Sequence, residues 1–447
     1  MIVKLSLALV VLVDVMGQGL FLPILTTLLL EPNQPFLPES TSQSARNFYF
    51  GLITAAFFFS WFLGAAYISK LSDMIGRKRG IQICLVGGLV GYGLIIVSLF
   101  TNSFWLLLLG RIVTGFTAGN QPIAQAAMID LSATAQDRTR NLGLIVAAAS
   151  IGLVAGPIIG GVLSDSSLIG EHASLKLPFF VAAGLIAATI ALIALFFHDS
   201  RQDRQKFTFK PWEIFLVLWR ALQRPAILRI SAVFFCFMFV LNTLFVFMDN
   251  YLATRFGFGT FKNAMAMMTF GLVVGIASTV LPSLADRYTT KRRTVLAALA
   301  VYIAALLGFV LAPTGGLAFL PIAVFALAFA VGYPTLLSIF SLSVDETEQG
   351  WIMGVTTALF TLAAGLTSLI GGEAMALNPR LPFLYAMGVA GLAMVLLVAT
   401  WGYPAVKRIS HQHHPPLHPS PTARSLQEAC TNREITTGVR LLGNPVG

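Results

Sequence analysis

The chain has 447 residues, of which 56% are hydrophobic and only 11% charged, and its formal net charge is +10. Soluble domains carry about 25% charged residues, so no soluble fold of this size can bury so much apolar side chain, and lipid is the expected solvent. The basic excess then belongs to loops on one membrane face rather than to a nucleic-acid surface. Three scattered cysteines, Cys84, Cys236 and Cys430, exclude a disulfide framework and a C-x-x-C metal site.

A membrane-spanning helix needs about 20 apolar residues. Twelve such runs occur, at approximately 5–25, 48–69, 81–101, 104–129, 142–163, 177–197, 228–250, 262–284, 294–313, 316–342, 351–372 and 382–404. The first contains Asp14 and lacks a small-residue cleavage site, so it is expected to stay as a span rather than leave as a signal peptide. With the N-terminus inside, 23 Lys and Arg fall in inner segments and five in outer ones, which places both termini in the cytoplasm. One base, Arg111, belongs to neither face.

The chain repeats itself. The charged stretch Ser69–Arg79 between the second and third runs returns 213 positions later, matching Leu71, Asp73 and Lys78 to Leu284, Asp286 and Lys291. Pro122 and Pro334 are 212 apart, and Gly160-Gly161 and Gly371-Gly372 are 211 apart. This predicts an all-α membrane protein of twelve transmembrane helices in two pseudo-symmetric six-helix bundles, 1–197 and 228–405. The joining segment, 198–227, is basic, and its stretch 211–220 is amphipathic, as for a helix lying in the inner interface. Residues 406–447 contain Pro, Ser and His and are expected to be disordered. Their histidines are read as incidental, so no metal site is expected.

Asp14 is the strongest functional signal. It lies about ten residues into the first span, roughly 15 Å deep. A carboxylate there is costly and marks function by default. Gln18 shares its face. Arg111, Thr114, Ala118, Gln121 and Gln125 form one helical stripe on run four, which must line a cavity or another half-polar helix. Arg111 is the expected partner of Asp14; it can hold that acid charged or bind an anionic substrate group. A permanently paired structural charge is the other reading of Asp14. In run seven, Asn242 and Asp249 share a face among many Phe residues, as for a substrate pocket, although Asp249 lies near the outer end where it can reach water. Gly152, Gly156 and Gly160 recur on one face of run five, followed by Pro157 and Gly161, which suits close helix packing.

These residues resemble a known family. Leu71-x-Asp73-x-x-Gly76-Arg77-Lys78 between helices 2 and 3 resembles the hallmark loop of the major facilitator superfamily. Arg111-Ile112-Val113-Thr114-Gly115 with Gly119 is similar to its helix 4 motif. Gly152-x-x-x-Gly156-Pro157-x-x-Gly160-Gly161 resembles the antiporter motif of drug/proton exchangers. Leu12-x-Asp14-x-x-Gly17-x-Gly19-Leu20-x-x-Pro23 resembles helix 1 of the twelve-helix tetracycline-exporter-like group. The resemblance implies a gating role for Asp73, Gly76, Arg77 and Lys78, locking the halves together on the inner side, and implies that the helix 5 motif packs against the opposite half.

The expected function is secondary transport by alternating access: proton-coupled efflux of a small amphiphilic compound or drug, with Asp14 and Arg111 as the coupling pair and Gln18, Gln121, Gln125, Asn242 and Asp249 as substrate contacts. The proton gradient supplies the energy, and no cofactor is expected. The partners are the substrate, protons and membrane lipids, with no nucleic acid, and a monomer suffices. A bacterial cytoplasmic (inner) membrane is the expected location. Proton-coupled porting of a nutrient, metabolite or siderophore-like compound is the alternative, and a non-transporting sensor of the same fold is another. No nucleotide loop and no Ser/His/Asp arrangement is present, which argues against an enzyme.

Overall fold

The computed structural model describes residues 2–31, 34–132, 134–197, 213–345, 348–402 and 406. The described residues are almost wholly helical and contain no strand. The helices are α1 (Ile2–Leu30), α2 (Gln43–Ile75), α3 (Arg77–Thr101), α4 (Phe104–Phe116), α5 (Asn120–Asp130), α6 (Ala135–Ser164), the short α7 (Ser166–Ile169), α8 (Leu177–Phe196), α9 (Glu213–Gln223), α10 (Pro225–Phe256), α11 (Thr260–Tyr288), α12 (Lys291–Leu311), α13 (Phe319–Leu342), α14 (Gln349–Leu377) and α15 (Leu381–Thr400).

Eleven of them are long and apolar enough to cross a membrane. The twelfth apolar run is broken. It forms α4 and α5, of 13 and 11 residues, each only about 15–20 Å long. The break has a local cause. Pro122 has no N–H to give to the preceding turn, and its ring crowds the carbonyl four residues back. Gly119 adds a helix penalty of about 1 kcal/mol. In the second half Pro334 also follows a glycine, Gly332, with Val331 in the place of Gly119, and α13 runs on unbroken.

The packing is a repeat. In the first group α1 packs on α6 and α8, α4 on α2 and α3, and α3 on α8. In the second group α10 packs on α14 and α15, α13 on α11 and α12, and α12 on α15. These are the same pairs one half later. α10 is the innermost span, with 83% of its apolar window inside, whereas α8 has 28% inside. The large apolar side chains left outward, such as Trp105, Ile276, Leu195 and Leu320, are those a lipid-facing surface requires.

Two seams join the groups, α2 on α14 and α6 on α11. Their closest approaches lie at the end away from the α2–α3 and α11–α12 turns. A Cβ on Gly51 would stand 2.5 Å from the Ser368 carbonyl and 2.9 Å from Gly372 Cα. Asn250 donates to Asn47 at 3.1 Å, and the Thr27 and Thr260 hydroxyls are 2.7 Å apart. Gly161 abuts Ala264. This far end is therefore closed.

At the opposite, basic end each charged turn makes contacts with its own half. Gly76 turns the chain between α2 and α3 with φ 100°, a backbone region that suits glycine. Arg77 pairs with Asp130 at 3.5 Å, and Lys78 donates to the Ala194 carbonyl at 2.8 Å near the last turn of α8. The second half does the same: Lys291 pairs with Asp286 at 3.1 Å, and Arg292 donates to the Val398 carbonyl near the end of α15 at 3.2 Å. Cations at helix C-termini are stabilised by the helix dipole. The Asp73 side chain lies outside the described residues. So the gating loop expected to lock the halves is seen here with Arg77 and Lys78 held by their own half.

The linker helix is present as α9. Trp212 lies outside the described residues, while Trp219 and Leu222 point outward. Arg224 grips Glu348 with two bonds of 2.6 and 2.7 Å, and Arg220 adds one at 3.3 Å. This hooks α9 to the start of α14. The tail beyond 406 lies outside the described residues.

Candidate functional site

A small cleft opens among α1, α3 and the α4–α5 break. Asp14 and Gln18 line it from α1, Tyr92 and Cys84 from α3, and Arg111, Thr114, Thr117 and Asn120 from the broken helix. Asp14 and Arg111 thus share one cleft, but they are not an ion pair. Arg111 is 5% exposed and its guanidinium is clamped between the rings of Phe21 and Phe57, at 3.8 and 3.9 Å from the centroids. Among the described residues no acceptor takes a hydrogen bond from it, and its Nε is buried without a partner. Two stacked rings hold the cation in place of a carboxylate. Asp14 instead shares the cleft lining with the neutral Asn120 side chain. The direct pairing expected from the sequence is replaced by two separately held charges.

The helix break decides which of the stripe residues meet the site. Thr114 and Ala118 line the cavity, but α5 restarts in a new phase and brings Asn120 forward instead of Gln121 and Gln125, which lie outside the cavity lining. Asn120 follows from Pro122 and Gly119, which mark the break. Tyr92 was legible only as a lone phenol in an apolar span. Gly17 makes room for it, since a Cβ there would strike the Tyr92 hydroxyl. Phe21 and Phe57 carry no sequence mark apart from lying on neighbouring spans.

Asn242 and Asp249 do not join this cavity. Asn242 is 2% exposed and donates to the Met238 carbonyl one turn back. Asp249 is fully buried, with both carboxylate oxygens unpartnered, rather than reaching water at the span's end. The Phe residues of α10 mostly pack inward, on Tyr302, Phe340, Phe270 and Tyr385.

In the second half, α10, α12 and α13 bring Phe237, Tyr302 and Phe325 together. Tyr302 stacks on Phe237 at 4.7 Å and on Phe325 at 3.9 Å, filling the place with rings.

The glycine face of α6 also sits differently from the expectation. Gly152 and Gly160 lie against the Leu12 and Leu20 carbonyls of α1, at 2.6 and 2.9 Å from an added Cβ, with Gly156 closer still to Met16. Pro157 fits over Gly19. The motif therefore packs its stripe on α1 of its own half, and only Gly161 reaches the opposite half. The helix phase requires this: 152, 156 and 160 share one face and 161 is turned about 100° away.

Fold and cleft together define a multi-pass integral membrane protein with a charged cavity in one of two pseudo-equivalent bundles. Residues 7–368 match the model of the Major Facilitator Superfamily, and the chain belongs to that family. It is 28% identical over 365 residues to the tetracycline resistance protein, class C, of Escherichia coli, covering 80% of this chain and 85% of that one. To the class B protein of Escherichia coli it is 26% identical over 412 residues, covering 88% and 94%. Among solved structures it is similar to a D-xylose-proton symporter, with a TM-score of 0.68 and 15% identity over 91% of this chain and 98% of that one.

Proposed function

We propose that the protein is a proton-coupled antiporter that exports a small amphiphilic compound or drug by alternating access. The observation that carries this is the cleft itself: a half-buried acid and a buried base within the spans, not ion-paired among the described residues, line one small space. The names of the resistance-protein relatives support export of a drug. Asp14 takes and releases the proton, and Arg111 helps hold the ligand. The basic end faces the cytoplasm of a bacterial cell, with both termini there, as the asymmetry of Lys and Arg favours. The two seams at the far end open when the halves rock. The protein works as a monomer in lipid, with the proton gradient as its energy source.

The experiment is pH-gradient-driven drug uptake into inverted vesicles. Asp14→Asn is expected to stop accumulation while leaving the amount of inserted protein unchanged. Full exchange by that variant removes Asp14 from the coupling role.

A further inference from the structure

We propose that Phe57 is a positioning residue that ties Arg111 to the seam between the halves: its ring holds the guanidinium off Asp14 while an aromatic contact with the opposite half backs it. This rests on the transport reading and adds a residue to the same site. The Arg111 guanidinium lies between Phe21 of α1 and Phe57 of α2, at 3.8 and 3.9 Å from the two ring centroids. Phe21 follows Asp14 by seven residues, two turns or about 10 Å along the same face of α1. The clamp therefore holds the cation toward the outer end of the helix and away from the carboxylate. In a low-dielectric site those two charges attract strongly, so a restraint is needed to keep them apart.

The Phe57 ring is not isolated. It packs on Phe58 at 5.3 Å and on Trp61 at 5.9 Å, both on α2. These two rings meet Phe360 of α14 edge-on, at 6.3 and 5.6 Å. Rings thus run from the guanidinium to the opposite half across the α2–α14 seam. Trp61 lies ten residues inward of Gly51, about 15 Å from the close glycine contact. Rocking that parts α2 from α14 takes Phe360 away from the other rings. Phe57 then loses its backing, the clamp loosens, and the guanidinium can reach Asp14. A cation beside a carboxylate favours its charged form, so the state of the seam is felt at the acid. Of the groups able to carry a charge, the cleft lining holds Asp14, Cys84, Tyr92 and Arg111, while α2 and α8 bring only Phe57 and Ile186 to it.

The test uses the full chain in lipid vesicles. Trifluorophenylalanine at position 57 keeps the shape of the ring and cancels the negative charge of its face. Solid-state NMR on nitrogen-labelled arginine and carbon-labelled aspartate measures the approach of the Arg111 guanidinium to the Asp14 carboxyl, the signal being assigned by its loss in Asp14→Asn. The unmodified protein is expected to show no close pair. The fluorinated protein and Phe360→Leu are each expected to show one, within about 4 Å. A close pair already in the unmodified protein, or none in the fluorinated one, overturns the clamp. Its absence from Phe360→Leu overturns the link to the seam. The pH profile of ethidium uptake at a fixed pH gradient should move to the acid side in both altered proteins, by about one pH unit or about tenfold in proton concentration. An unmoved profile beside a new pair overturns the positioning role. Lack of ethidium uptake by the unmodified protein sinks the transport reading alone, because the distance measurement does not depend on it.

Discussion

Gly51→Ala is the sharpest test of the closed far end. The new methyl would lie 2.5 Å from the Ser368 carbonyl oxygen and 2.9 Å from Gly372 Cα, both backbone atoms of α14. Ordinary contact needs about 3.4 Å, so α2 and α14 must part by nearly 1 Å, and overpacking of that kind costs about 1–3 kcal/mol. The intrinsic helix gain of Ala over Gly, about 1 kcal/mol, applies whether the seam is closed or open and cancels. A penalty of about 2 kcal/mol on the closed form alone multiplies the open population about 30-fold. Spin labels at Glu39 and Leu317, exposed positions of the two halves near this end, report the change as a distance distribution. The longer-distance population is expected to grow in Gly51→Ala. Gly184→Ala is the control, since nothing lies within 4 Å of its added Cβ. An unchanged distribution in a folded Gly51→Ala protein refutes the claim that glycine contact is what lets this seam close.

Gly152→Ala is expected to lower thermal stability by a few degrees, because its Cβ would press on the Leu12 carbonyl at 2.6 Å, and Gly160→Ala, at 2.9 Å, by less; thermal unfolding in detergent ranks them. Gly17→Ala meets only the free end of Tyr92, so the melting temperature should hold while ligand binding falls about tenfold. Glu348→Gln should free α9, read as faster backbone hydrogen exchange over Glu213–Gln223. The hydrogen bond from Arg224 holds the Glu348 carboxyl below the ordinary glutamate range. The contribution of this carboxylate to docking is therefore present above the ordinary glutamate pKa and lost as the pH falls through the lowered value. Hydrogen exchange of α9 across an acid pH series checks that sign.

The spans and the repeat were legible because lipid removes most of the ambiguity: a run of about 20 apolar residues has one stable conformation there. Asp14 and Arg111 were legible for the same reason, since a charge at mid-span has no bland explanation. What periodicity could not give was the phase of a helix after an interruption. Reading 104–129 as one continuous rod put Gln121 and Gln125 on the face of Arg111, while Gly119 and Pro122 break the rod and present Asn120 instead. The pairing of Asp14 with Arg111 failed on a different point. Charge attraction is visible in a sequence, but the two phenyl rings that fill the faces of the guanidinium come from α1 and α2, and their meeting depends on helix rotation. Asp249 shows the converse limit. Its place near the end of its apolar run suggested contact with water, yet α10 is the innermost span and carries its end residues inside with it.

The interruption between α4 and α5 has a mechanical consequence. Two short rods joined at an elbow of three residues, Thr117–Gly119, can change their mutual angle at a small cost in backbone bonds, because the elbow holds short-range turn bonds, Ala118 N–H to the Gly115 carbonyl and Gly119 N–H to the Thr117 carbonyl, in place of a continuous ladder. Arg111 rides on the first rod, anchored to α2 and α3, and Asn120 on the second, anchored to α1. The base and the amide flanking Asp14 thus ride on different rods, and the elbow between them is a place where a proton arriving on that acid can be felt as a local pivot.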